Sequence, residues 1–519
     1  MILWSLVSLL KGSALKSAFI WFNIFVISLL FWHRSKNSKV DKFLSSLPGP
    51  SAYPIIGNIH LFIGKSKRDI LKKVMRTLTD YSRYKIFRFC FGRNHYAVLA
   101  DPQIIQSVLR NPNCYYKDDL YDFLGIPDIL FTSSGDSWLK RRKAALPGFS
   151  PRIISAMDPI YSNRINSLMS ALRERAATGV PFDLIQHIMP VAIESISDTF
   201  MGVSLDMQFG DHPEYTNAFL RIPDLFMERV SVLLYHSDII YSLTGKKKEQ
   251  ESCIHSLLTL TQQVIEKRLM QRAELRNSGI CYEAGRKLYL DILLDRFETS
   301  EQKSMFRLVR EASEMFMAGS VTVATMVSWV CLLSGVFPEV GDKLREEIDS
   351  CVEDAPNATI EDCAKLEYLD LVVKEALRHF TVPFIARKAK KDIQVPDVGT
   401  VPENTRFLVS LLSLHHDARY WEKPYEFYPE HFLPENAENR PKCAYIPFST
   451  GMRDCPGAKY TIQSMKVQVV RILSQFKILS ARMKPWKNPY LELSLGFGFT
   501  VVPTRGWLVT AELRNQSSD

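Results

Sequence analysis

The sequence predicts a mainly α-helical α+β domain with small β-sheets, carried behind an N-terminal transmembrane helix. Three observations support this. There is an apolar run near the N-terminus, a long middle with helical periodicity, and a few β-type segments that occur only early and late. With 519 residues, 46% hydrophobic and 23% charged, the chain can bury a large core and lacks the composition of a disordered protein. The net charge of +9 is modest, and the positives scatter apart from Lys140-Arg-Arg-Lys143, Lys246-Lys-Lys248 and Lys388-Ala-Lys-Lys391. No aromatic-interleaved basic stripe occurs, which argues against nucleic acid and for an anionic membrane surface or an acidic protein partner. Nine cysteines, an odd number with no CxxC spacing, argue against a disulfide framework or zinc site and for a reducing compartment. The sequons Asn357-Ala-Thr and Asn515-Gln-Ser would go unused there.

Taken in order, the first element is the run Ala18–Trp32. As helix it spans about 22 Å, short of a hydrocarbon core of about 30 Å, so Lys11 and Lys16 must snorkel and the preceding turn must extend it. The rival reading, a cleaved signal peptide, lacks a small-x-small site after Trp32. The basic run His33, Arg34, Lys36, Lys39, Lys42 follows and places the main body in the cytosol. Residues 1–33 are therefore assigned as anchor, 34–50 as a basic hinge ending in Leu47-Pro-Gly-Pro50, and 51–519 as the catalytic domain. Consecutive prolines cannot be helical and stiffen the chain. Amphipathic periodicity predicts helices near 66–83, 102–110, 136–146, 158–177, 184–200, 250–275, 304–335 and 363–380. Strands are predicted at Tyr84–Cys90, Tyr96–Leu99, Phe407–Ser410 and Thr500–Val502, the late ones returning to the first sheet.

The chemistry concentrates in Phe448-Ser-Thr-Gly-Met-Arg-Asp-Cys-Pro-Gly457. Here one cysteine lies in a glycine-bracketed loop that opens onto a helix, with an arginine two residues before it. A thiolate needs such surroundings to become a metal ligand: a tight turn, backbone N–H groups, and a cation for the acid groups of a cofactor. Five residue types at this spacing arise by chance on the order of once in 10⁴ chains of this length. The bland reading is a buried structural cysteine at a helix start. The second signal, Glu375 and Arg378, lies i, i+3 on one helix face and can pair.

With the loop, that pair and the proline hinge in this order, the chain resembles a cytochrome P-450, a haem-thiolate monooxygenase. The resemblance runs over essentially the whole chain and takes in Trp138-Leu-Lys-Arg-Arg142, Ala318-Gly-Ser-Val-Thr322 and Pro429-Glu-His-Phe432. Val382-Pro-Phe-Ile-Ala-Arg387 and Tyr445-Ile-Pro-Phe448 are similar to the family-four clan of microsomal members. The resemblance implies that Cys455 ligates the iron of a haem b. Phe448 would shield the sulfur, Gly451 permit the turn, and Gly457 let the following helix approach the porphyrin. Arg453, Arg142, Trp138 and Arg387 match positions that hold the haem propionates. Glu375 and Arg378 match a structural pair, completed here by His431.

On the oxygen side the resemblance implies a small pair, Ala318 and Gly319, that opens a kink for O₂, and Thr322 to relay protons. Val321 stands where the family carries an acid, so water held by Ser320 and Thr322 would have to serve. Ala318 also stands where many family-four members carry a haem-linking glutamate, which implies non-covalent haem. The implied reaction inserts one oxygen atom from O₂ into a lipophilic substrate, a fatty acid, terpenoid, steroid or xenobiotic. Electrons come from NADPH through a cytochrome reductase, with cytochrome b5 as a further donor, at the endoplasmic reticulum membrane. Lys140, Arg141 and Lys143 form either a docking patch for that reductase or a solvated helix face. The substrate pocket would be walled by Leu120–Phe131, Phe219–Tyr235, Met315–Ala318, Val382–Ile385 and Leu495–Thr500. Two rivals stand beside this reading: a haem-thiolate isomerase or dehydratase acting on a peroxide without reductase, and a non-catalytic haem protein.

Overall fold

The computed structural model describes residues 17–26, 38–53, 56–92, 94–150, 153, 158–205, 212–278, 287–301 and 303–514. A four-stranded sheet is built from β1 (Ile86–Phe91), β2 (Asn94–Leu99), β3 (Phe384–Lys388) and β4 (Arg406–Ser410), in the order β1-β2-β4-β3. β1 and β2 form an antiparallel hairpin (Ile86 opposite Leu99), and β4 joins β2 in parallel (Tyr96 opposite Arg406). That late strand returns to the first sheet as expected. Val501–Pro503 does not; it pairs with Leu495–Phe497 in a two-stranded sheet of its own. A further sheet, Phe182–Asp183, Leu508–Leu513 and Phe476–Ser480, was not legible in the sequence.

The helices that position the site are α1 (Gly135–Ala145), α2 (Ile185–Ile196), α3 (Pro213–Ser231), α4 (Met305–Val336), α5 (Glu367–Phe380) and α6 (Ala458–Gln475). The helix expected over 363–380 is broken at Lys365–Leu366, where a capped turn, Ile360–Ala364, precedes α5. Among the described residues α4 is the one helix long and apolar enough to cross a membrane. Its apolar window is 83% buried, however, which makes it the core helix of the domain. Trp329 of α4 stacks on Phe380 of α5 at 3.7 Å and donates through Nε1 to the Val501 carbonyl at 2.9 Å. Those contacts tie α4 to α5 and to the C-terminal hairpin.

Of the expected anchor, Ser17–Val26 is a short apolar helix with Trp21, Phe22 and Phe25 exposed. The end of the run at Trp32, the basic residues His33, Arg34 and Lys36, and the Asn515 sequon lie outside the described residues. The proline segment is docked on the sheet: Arg88 N–H donates to the Pro48 carbonyl at 2.7 Å. A Cβ at Gly49 would lie 2.4 Å from the Arg88 carbonyl oxygen, so only glycine fits there.

Behind the cysteine loop lies a fully buried polar hub. Arg378 grips Glu375 with two bonds of 2.8 Å, and its remaining donors reach the carbonyls of His415, Pro424 and Glu426. His431 Nδ1 sits 3.3 Å from both Glu375 oxygens, so the pair and its third member assemble where the resemblance placed them. The hub reaches the site through short links. Tyr445 donates to the Lys374 carbonyl at 3.0 Å, and Ile446 N–H donates to His415 Nε2 at 3.0 Å. Burial works against the Glu375 charge, but Arg378 and the flanking histidines outweigh it and hold the carboxyl well below its usual range.

Burial also pushes His379 down to about 4 and His415 to about 3, with the Arg378 charge as the next cause. Unfolded histidines titrate near 6.5, so below that pH the unfolded chain takes protons that these buried rings refuse. Stability present above pH 6.5 is therefore lost as pH falls, by about 2 kcal/mol per ring at pH 5. We expect the urea midpoint to drop steeply between pH 6.5 and 5; a flat profile over that range contradicts the account. Glu375→Gln removes one charge of the buried pair and should cost about 3–5 kcal/mol in the same assay.

Candidate active site

The cysteine loop closes on itself through Cys455 N–H donating to the Phe448 carbonyl at 2.9 Å. Ser449 and Gly451 both take positive φ (65° and 81°) to make the turn. A Cβ at Gly451 would lie 2.3 Å from the Leu109 carbonyl oxygen, which excludes any other residue. Gly457 caps α6, and a Cβ there would meet only ordinary contacts, Phe149 at 3.6 Å and Cys455 Sγ at 4.0 Å, so the space before it is open. Arg142 of α1 holds the loop from the side, donating to the Asp454 carbonyl at 2.8 Å and its carboxylate at 2.5 Å. Cys455 is exposed. Burial pushes its thiol up, while the Gly457 N–H and the Arg142 charge pull it down. The sulfur thus takes its amide bond from Gly457, because Pro456 has no N–H to give.

Beside the loop, three cations converge. Arg453 lies 4.5 Å above the Trp138 ring, and Lys117 Nζ sits 3.7 Å from the Tyr121 centroid. Arg387 is 3% exposed, donates to the Ala386 carbonyl and bonds the Tyr121 side chain. Burial and mutual repulsion push Arg453 down to about 9, lower Arg387 by burial, and drop Lys117 well below its ordinary value. Among the described residues no carboxylate pairs with any of the three, and Arg453 Nε is a buried donor with no partner. Such a cluster fits a ligand carrying two carboxylates, as a haem does. Lys117 was missed by the sequence reading; a lone lysine after Tyr115-Tyr116 carries no spacing signal. Arg142 belongs to the loop clamp more than to this cluster.

Between Ala312 and Ser334, α4 is buried except at Ala318, which is exposed, and at Gly319 and Thr322, which are half-buried. Residues i and i+4 share a face, and this is the face left open. Arg453 donates to the Phe131 carbonyl at 3.4 Å, and Phe131 N–H donates to Glu314 of α4 at 3.3 Å, so loop and helix border one space. Thr322 Oγ1 donates to the Ala318 carbonyl at 2.6 Å and keeps its lone pairs free to accept.

Two expectations are corrected here. Ser320 is buried with its hydroxyl on the Ala192 carbonyl of α2 at 3.3 Å, turned away from Thr322. Gly319 lies within a continuous α4; a Cβ there would lie 2.4 Å from Ile196 Cδ1, so its smallness serves the packing of α4 on α2. Three of the five predicted pocket walls meet: Tyr121 lies 5.3 Å from Phe131 and 6.4 Å from Phe226, and Phe226 lies 5.9 Å from Phe499.

A cysteine in a glycine-turned loop, a cationic cluster suited to two carboxylates and a core helix open at Ala318 and Thr322 have the chemistry of a haem-thiolate protein. Comparison with known proteins agrees: the cytochrome P450 family model matches residues 47–504. The chain is 28% identical over 498 residues to cytochrome P450 4V2 of Rattus norvegicus, covering 92% of each chain. It is 29% identical over 479 residues to the Homo sapiens protein of that name (89% of each), and 27% identical over 472 residues to cytochrome P450 4c3 of Drosophila melanogaster (87% of this chain, 88% of the relative). The chain belongs to the cytochrome P450 family. It is a haem-thiolate monooxygenase that binds haem b non-covalently through a cysteine thiolate.

Replacing Pro456 by leucine restores an N–H beside the sulfur, and a second amide bond draws charge off the thiolate. We expect Pro456→Leu to raise the haem reduction potential in a spectroelectrochemical titration. An unchanged or lower potential counts against this.

Proposed function

We propose that this protein inserts oxygen into a lipophilic substrate, using NADPH electrons delivered by a membrane-bound reductase, with cytochrome b5 as an auxiliary donor. The observation that carries the reading is the juxtaposition of Cys455, the Arg453–Arg387–Lys117 cradle and the open face of α4 at Ala318 and Thr322. In this reading Cys455 ligates the iron, Arg453, Arg387 and Trp138 hold the propionates with Lys117, and Arg142 fixes the loop. Phe448 and Gly457 flank the sulfur. A bound haem would supply the oxygen chemistry, made more reactive by the electron-rich thiolate of Cys455. The chain's own residues bind substrate, exclude water and move protons.

Proton supply is the unusual part. Val321 is 5% exposed and cannot pass a proton. Val321 and Thr322 border a cleft of about 170 Å³, lined also by Asp183, Gln186, Asp224, Thr325 and Thr500. Water in that cleft reaches the accepting lone pairs of Thr322 Oγ1 and takes the place of the side-chain acid. The Tyr121, Phe131, Phe226 and Phe499 rings make the substrate wall apolar, which supports a lipophilic ligand.

Exposed Tyr53, Ile63, Leu234, Ile239 and Leu243 support a membrane-facing surface. They share a neighbourhood, since His236 packs on Phe91 at 5.5 Å and Gly57 bridges to Phe91. With residues 1–33 as anchor and 34–50 as connector, this fits attachment to the endoplasmic reticulum with a cytosolic catalytic domain. The reductase patch is narrower than the sequence suggests: Arg141 is paired with Glu311, leaving Lys140 and Lys143 exposed on α1.

Val321 also favours a second reading, rearrangement of a peroxide without reductase. One assay separates the two. Reduced protein with CO should give the Soret band of a thiolate-ligated haem, and NADPH with reductase should then support product formation that weakens as salt rises. Product from peroxide alone, with no NADPH dependence, overturns the monooxygenase reading in favour of the second.

A further inference from the structure

Glu314 is a buried acid with no part in the chemistry above. It is 7% exposed and lies on α4 one turn before Ala318, on the flank of the open face. A carboxyl there costs desolvation that a leucine would not, and α4 needs no polar residue at that point to pack. What it holds is the segment Ile126–Ser133. Phe131 N–H donates to Glu314 Oε2 at 3.3 Å, and the Leu130 N–H bonds the same carboxyl. One turn earlier on α4, Arg310 donates to the Pro127 carbonyl. From the opposite side Arg453 holds the carbonyls of Phe131 and Ser133. The segment is braced within itself by Thr132 Oγ1 on the Ile126 carbonyl at 3.1 Å and Ser133 N–H on the Ile129 carbonyl at 2.8 Å.

The residue so pinned carries a ring of the cavity wall. Phe131 is 37% exposed, edge-on to Tyr121 at 5.3 Å, 6.5 Å from Phe499, and 4.0 Å beneath Lys117 Nζ. The ring narrows the space beside Tyr121 and Phe499, and any ligand that displaces the Phe131 backbone breaks the amide bond to Glu314. We infer that Glu314 is a positioning residue that fixes Phe131 over the cavity, so that the site prefers slender ligands to broad ones. Burial pushes the Glu314 carboxyl up to about 8, against the two amide bonds and the charges of Arg141 and Arg453. At neutral pH it is an acceptor without charge, and glutamine is its close stand-in.

The inference rests on the haem-thiolate reading only for what the cavity admits, so the test has two arms on the full-length holoprotein. In the first, amide exchange of the Phe131 N–H is followed by mass spectrometry. In the second, the haem spectral shift gives the affinity of a slender probe, 1-dodecylimidazole, and a broad one, 1-tritylimidazole. Glu314→Leu should exchange about tenfold faster at Phe131 and lose about tenfold in preference for the dodecyl probe, while Glu314→Gln stays near wild type. Phe131→Ala should lose the preference outright, and adding Glu314→Leu to it should change nothing more. Unchanged exchange in Glu314→Leu, equal shifts for both probes, or additive effects in the double variant would overturn the inference. Failure of the haem-thiolate reading would look different: no thiolate-type CO band and no imidazole shift in any variant, with the exchange result still standing.

Discussion

A pair of opposite charges with no access to water, Glu375 and Arg378, is the constraint around which this half of the molecule is organised. Both are 0% exposed. An isolated charge in such a place costs several kcal/mol, so every donor and acceptor of the pair has to be met. Arg378 therefore draws in three backbone carbonyls from residues 415–426, and Glu375 draws in the Tyr428 N–H at 2.9 Å and the His431 ring. An otherwise irregular stretch of chain acquires one conformation because only one satisfies the pair. The cysteine loop is the next segment along, and it inherits that rigidity through Tyr445 and Ile446.

The second electrostatic problem is solved in the opposite way. Arg453, Arg387 and Lys117 are brought together without a paired carboxylate among the described residues, an arrangement that suits a ligand carrying two carboxylates. The two arrangements divide the labour. The closed hub fixes geometry, while in the proposed reading the cradle couples the fold to haem binding. Arg453 belongs to the cradle and also holds the Phe131 segment through the carbonyls of Phe131 and Ser133.

Much of the architecture was legible in the sequence because it depends on local periodicity and on short-range rules. The 304–335 pattern became α4, and the 102–110 pattern became a helix over Pro102–Arg110 capped by Asp101. The helix expected after the cysteine loop became α6, whereas α3 escaped because its buried face is not purely apolar: Arg229 is buried on it. Mixed character of this kind blurs the 3.6-residue period. The three-stranded sheet escaped because one of its strands is two residues long and its partners are distant in the chain.

What the sequence determined by itself was the identity of the chemistry. Cysteine, arginine and glycines at fixed short spacing need no tertiary information, because a tight turn places them by covalent geometry alone. What only the tertiary structure decided was which way each side chain of α4 points and which distant cations meet. Ser320 and Gly319 read as partners of Thr322 along the chain, yet helical rotation turns them onto α2. Lys117 carries no local signal, yet packing sets it with Arg387 and Arg453. Such placements are set by which helix faces are buried against each other, a property of the assembled core and not of any segment within it.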